Sequence, residues 1–220
     1  MSERQDPARQ QSGTRRQRQA AQTRQEILAA ARSLFAGQGY SATSINDIAS
    51  EAGVAVQTIY SSVGSKAELL AALAESIGTS ADVPALDRAG DVADDPLDIP
   101  RIAARLRRNL MESGGDVIRV LLEVMPSEPE VAAIWQYWDS ASRAGIAGSM
   151  QRLKDLEALT PDLTIERATD RTSAITHPYV YLELLEHGWG HDEIEAWLAV
   201  TLTRTLVHPR FWARDLLDEG

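Results

Sequence analysis

The chain has no cysteine and only two phenylalanines in 220 residues. Without cysteine there is no disulfide, no thiolate metal site and no thiol nucleophile, and the lack fits a reducing compartment. Long apolar runs are also missing. No stretch approaches the roughly 18 residues of a membrane span, and no hydrophobic segment follows the N-terminus, so the sequence predicts a cytoplasmic protein. Positive charge is scarce: 22 Lys and Arg stand against 32 Asp and Glu, a formal net charge of −10. Catalytic motifs are lacking too. There is no phosphate-binding or dinucleotide-binding glycine loop. The histidines at 177, 187, 191 and 208 have no nucleophile constellation beside them. His187 and His191 are four apart, but Gly188 and Gly190 between them argue against a helical metal pair. The expectation is no enzyme, no metal and no cofactor.

What is present begins with the stretch Thr43–Lys66. Ser44 reads as an N-cap with Asp47 as its capping-box partner. Ile45, Ile48, Ala49 and Ala52 recur at helical spacing. Gly53 can take a left-handed corner, Val54 is expected to be buried after it, and Val56–Ser61 makes a second helix with Ile59 inward. Two short helices around a glycine corner are the chemistry of a helix-turn-helix, whose second helix enters a DNA major groove. Plain core helices would need neither the corner nor the exposed Gln57, Thr58, Tyr60 and Ser61.

The acidic total looks wrong for a DNA binder until the chain is divided. Residues 1–72 carry a charge of +2 and residues 73–220 one of −12. The basic excess therefore sits with the helix-turn-helix. Residues 1–19 are polar with five arginines and read as a disordered basic arm; Arg15, Arg16 and Arg18 either reach DNA or are a solvated tail.

Spacing along residues 23–70 is specific: Ile27, Ala30, Ala31, Leu34, Phe35, Gly39, Tyr40, Thr43, Ile48, Ala49, Ala52, Gly53, Val54, Thr58, Ile59, Tyr60, Ser65, Lys66 and Leu69. On these residues the segment resembles the DNA-binding domain of the TetR family of bacterial transcriptional regulators. It departs from the family pattern at Ser62 and Val63, where an aromatic or His followed by Phe is usual; the smaller pair predicts looser packing at the end of the second helix. The resemblance implies that Lys66 and Tyr60 contact the DNA backbone. Thr43 is a third phosphate candidate, while Val56, Gln57 and Ser61 are candidate base readers, Gln57 toward adenine and Val56 toward a thymine methyl.

The remaining chain shows helical periodicity only. The predicted fold is all-α: a disordered arm over 1–19, a three-helix helix-turn-helix head over 20–75 with its linker helix from about 65, and a larger helical ligand-binding and dimerisation body over 76–220. Residues 78–100, rich in Asp, Gly and Pro, read as a loop or linker with at most a turn at Asp82–Leu86. A helix after Pro129 carries Trp135, Tyr137 and Trp138; His177-Pro178 should break another. The resemblance implies a homodimer through the last two long helices, here through the face Trp197, Leu198, Thr201, Leu202 and Thr205. It also implies an unknown small-molecule effector in the body. Arg105, Asn109, Met125, Trp135, Trp138 and Tyr179 are the candidates for its pocket, with Arg105 placed to meet an acid group. The expected partners are thus double-stranded operator DNA, a second copy and the effector, with no membrane. Two other readings remain open: an effector-independent regulator governed by a protein partner, and a helix-turn-helix that serves as an interaction scaffold without reading DNA.

Overall fold

The structure, a computed structural model, describes residues 7–212, with side chains from Arg15 onward except that of Asp87. Among the described residues the chain is all-α, with no β-structure beyond one isolated bridge between Leu159 and Val207. No single helix among them is long and apolar enough to cross a membrane. The chain divides into two units between Leu73 and Ala74.

The first unit holds α1 (Pro7–Gln38), α2 (Ile45–Glu51), α3 (Val56–Ser62) and the start of α4 (Lys66–Ser80). Its centre is Ile27, Ala31, Phe35, Ile48, Ile59, Leu69 and Leu70, all buried. Full burial of an Ile or Leu side chain contributes roughly 1.5–3 kcal/mol. The apolar stripe of α1 therefore holds the small α2–α3 pair, whose seven-residue helices could not persist alone. Gly53 turns the corner at φ +65°, and the Val54 amide donates to Ala49 O at 3.0 Å to close it. Val54 itself is half-buried rather than buried.

The basic arm differs from the expectation. Residues 7–19 continue α1 as helix, and residues 1–6 lie outside the described residues. The Gln, Arg and Ala of this stretch are good helix formers and extend the packed part of α1 without an apolar face of their own. Residues 15–20 are exposed throughout.

The second unit holds the rest of α4, then α5 (Val83–Asp91), α6 (Asp98–Val124), α7 (Pro129–Asp155), α8 (Ile165–Ile175), α9 (Pro178–Glu186) and α10 (His191–Leu206). The expected linker over 78–100 is a correction: most of it is helical, with α4 reaching Ser80 and α5 following after a two-residue turn. Pro84 and Pro100 give this stretch the composition of a linker. Both sit in the first turn of a helix, where a missing N–H has no partner to lose. α6 packs chiefly with α10, and α7 with α8. One core cluster joins Ile99, Met150, Leu153, Ala168, Leu202 and Leu206. α8 and α9 break at His177-Pro178, where the His177 ring caps α9 by accepting from the Tyr179 amide at 3.3 Å.

α6 runs as one helix through Gly114, whose φ of −159° and ψ of 27° kink it. Ile77 of α4 fills the notch; a Cβ on Gly114 would meet its side chain at 2.3 Å.

The expected dimer face on α10 needs dividing. Leu198 and Leu202, 1% and 0% exposed, belong to the body's own core. Trp197, Thr201 and Thr205 are half-buried, and Val200 beside them is 49% exposed.

Candidate nucleic-acid interface

α3 is the element the head is built to present. At its start α2 is locked by reciprocal bonds: the Asp47 amide donates to Ser44 Oγ at 3.2 Å, and the Ser44 amide donates to Asp47 Oδ2 at 2.8 Å. Hydrogen bonds from the Ser44 hydroxyl and amide hold the Asp47 carboxyl below its ordinary range. Ser65 and Glu68 repeat the device at α4, with the Ser65 amide donating to Glu68 Oε2 at 2.7 Å. Between the two boxes, Ile59 anchors α3 inward and Arg24 Nη1 donates to Ser62 O at 3.0 Å. That bond ties down the end of α3, where the small Ser62 and Val63 were expected to pack loosely.

With Ile59 inward, the other side of α3 faces solvent. Gln57 and Ser61 are exposed, Tyr60 is 52% exposed, and Val56 is half-buried at the first position. Tyr60 and Ser61 stand three and four residues after Gln57, on the same side of the helix. The Ser61 hydroxyl already donates to Thr58 O at 3.1 Å, which leaves its lone pairs as acceptors. This side of α3 offers an amide, a hydroxyl and a phenol, the groups that address base edges and phosphates.

Two phosphate candidates are placed elsewhere. Thr43 is 2% exposed, and its hydroxyl donates to Gly39 O at 2.8 Å; it closes the α1–α2 turn from within. Lys66 Nζ donates to Tyr40 O at 3.0 Å and Thr43 O at 3.1 Å and lies 4.1 Å from the Tyr40 ring centroid. Its ammonium pins the same turn, because two carbonyls and an aromatic face offer a cation more here than open solvent does.

In the body, a cavity of about 280 Å³ is lined by Gly78 of α4, by Leu86 of α5, by Ile102, Leu106 and Leu110 of α6, and by Tyr137, Trp138 and Ile146 of α7. A smaller one of about 80 Å³ shares Leu110, Trp138, Ser142 and Ile146 in its wall and adds Arg107, Trp135, Asp139, Thr176 and His177. Of the six expected pocket residues, Trp138 and Trp135 line these cavities. The other four do not. Arg105 instead lines a separate, more open pocket with Arg108, Asp192 and Glu195, and is paired there with Glu195 of α10. Asn109 Nδ2 donates to Ala81 O at 3.3 Å and holds the α4–α5 turn. Met125 caps the end of α6. Tyr179 is 50% exposed, with its hydroxyl donating to Leu122 O at 3.2 Å. Leu106 and Leu110 stand one turn apart and line the cavity together, but nothing in the sequence distinguishes Arg107 from its arginine neighbours.

No curated relative matches the chain. Residues 27–73 match the family profile described as "Bacterial regulatory proteins, tetR family". Among solved structures the chain is similar to NalD, the secondary repressor of the MexAB-OprM multidrug efflux pump in Pseudomonas aeruginosa. The two are 20% identical over 86% of this chain and 98% of that one, with a TM-score of 0.72. It is similar to SmeT in complex with triclosan, at 19% identity over 84% and 91% of the two chains and a TM-score of 0.72. It is also similar to a transcriptional regulator from Saccharomonospora viridis in complex with choline, at 20% identity over 85% and 98% and a TM-score of 0.69. The head thus matches the profile of the TetR family over residues 27–73, and the helical fold of the chain is shared with these solved transcriptional regulators.

Proposed function

We propose that this protein is a ligand-responsive repressor that acts in the cytoplasm and binds a near-palindromic operator as a homodimer. The observation that carries the reading is the exposed polar side of α3, with Gln57, Tyr60 and Ser61 outward while Ile59 is buried. One such helix reads too few base pairs for useful specificity, so two copies would dock on half-sites about 34 Å apart. The copies would meet through the last helical segments, α8–α9 and α10, on the stripe around Trp197 and Val200. NalD is a repressor, and SmeT and the S. viridis regulator are seen with small molecules; the mostly apolar cavity of this body supports an apolar or aromatic effector here. α4 supplies Leu69, Leu70 and Leu73 to the head and Gly78 to the cavity wall. An occupant favouring one position of α4 would change the spacing of the two heads and weaken operator binding, by as much as its affinities for the two states differ.

The test is selection of fragments of the source genome by the purified full chain at near-physiological salt. Enrichment of one or a few near-palindromic fragments is expected. Gln57→Ala should then relax preference at one base pair per half-site, and Tyr60→Phe should weaken all sequences alike. Binding that is weak and blind to sequence would overturn the reading.

A further inference from the structure

The structure assigns an acid-recognising end to the effector cavity: we propose that Arg107 receives the carboxylate of an amphipathic organic acid whose apolar body fills the larger cavity. The proposal rests on the effector reading above and names the chemistry of its ligand.

The run Arg105-Leu-Arg-Arg108 on α6 puts three guanidinium groups in three settings. Arg105 pairs with Glu195 of α10, and Arg108 with Glu195 and Asp192 of α10 and with Glu112 of its own helix. Arg107 turns to the other side and lines the smaller cavity. Its Nε is buried and has no hydrogen-bond partner among the described residues. Burial lowers its pKa to about 10, which still leaves a cation at neutral pH. Arg107 as a whole is half-buried, but a buried Nε–H left unanswered on a charged group is costly, and natural interiors resolve such a cost with an anion. The protein does not supply one here. Asp139 lines the same cavity but makes no ion pair with Arg107; its charge acts on Arg143 of its own helix and on His177.

The surroundings suit a carboxylate joined to an apolar body. His177 is held toward its neutral form by burial and then by the Arg107 charge. With Nδ1 accepting from the Tyr179 amide, its proton is on Nε2, a second donor on the cavity wall. Trp135 and Trp138 form apolar walls, and Leu110, Trp138, Ser142 and Ile146 are common to both cavities. An acid head at Arg107 would thus continue into the 280 Å³ space.

The experiment compares 2-naphthoate with its neutral counterpart 2-naphthamide by calorimetry on the full chain. The acid is expected to bind about 10- to 100-fold tighter, the usual worth of a charge-assisted pair. Arg107→Met should bring the two within about twofold and leave the amide's affinity in place. Arg107→Gln carries the same comparison should the methionine variant not fold. Equal affinities on the native chain, a preference that survives the loss of Arg107, or no binding of either compound would overturn the proposal. Operator affinity is read in the same samples. An acid that binds through Arg107 and leaves operator affinity unchanged would instead overturn the effector reading and leave the acid site standing.

Discussion

Lys66 shows how a single residue changes meaning between sequence and structure. A lysine in the first turn of the helix after the helix-turn-helix reads as a phosphate contact. Its ammonium instead answers Tyr40 O and Thr43 O and covers the Tyr40 ring. Lys66→Met should therefore act on stability, lowering it by roughly 1–3 kcal/mol in urea unfolding as two carbonyls lose a charged donor. The salt dependence of operator binding should stay unchanged. A slope of log affinity against log salt that falls by about one would return Lys66 to the phosphates. Thr43 follows the same logic, since its hydroxyl is spent on Gly39 O. Gln57, Tyr60 and Ser61 kept their expected exposure because helical period alone places them opposite Ile59.

At the scale of elements, local signals were legible where they are self-contained. The Ser44–Asp47 capping box, the Gly53 corner and the His177-Pro178 break depend on residues within five positions of one another. α5 was missed because proline and aspartate look like a linker when their position in a helix is unknown. The α4–α6 crossing was illegible for another reason: Gly114 matters only for what approaches it. Its Cβ space is taken by Ile77, so Gly114→Ala should cost about 1–3 kcal/mol as an overpacked site. Gly114→Ala combined with Ile77→Ala should cost less than the two single changes added together. Additive losses in thermal unfolding would show that the notch is not shared.

At the scale of the whole molecule, the charge division between a +2 head segment and a −12 remainder suits a protein that meets DNA through its head segment. The proposed dimer belongs to this scale as well. Leu198 and Leu202 are committed to the body's own core, so the stripe left for a second copy centres on Trp197 and Val200. Trp197→Glu places a charge on that stripe and removes a large ring from it. Sedimentation equilibrium at micromolar concentration should show a dimer for the native chain and mostly monomer for the variant. A variant that remains dimeric would move the interface elsewhere.

The sequence by itself determined the helical class, the helix-turn-helix and the polar side of α3, because these follow from periods of three to four residues and from caps and corners closed by near neighbours. The tertiary structure alone decided which polar groups face inward. Arg105, Arg107 and Arg108 are chemically identical and lie within four positions, so residue type does not rank them. Glu195 and Asp192, nearly ninety positions away, claim two of the three from the α10 side, and Arg107 is left facing the cavity between Trp135 and Trp138.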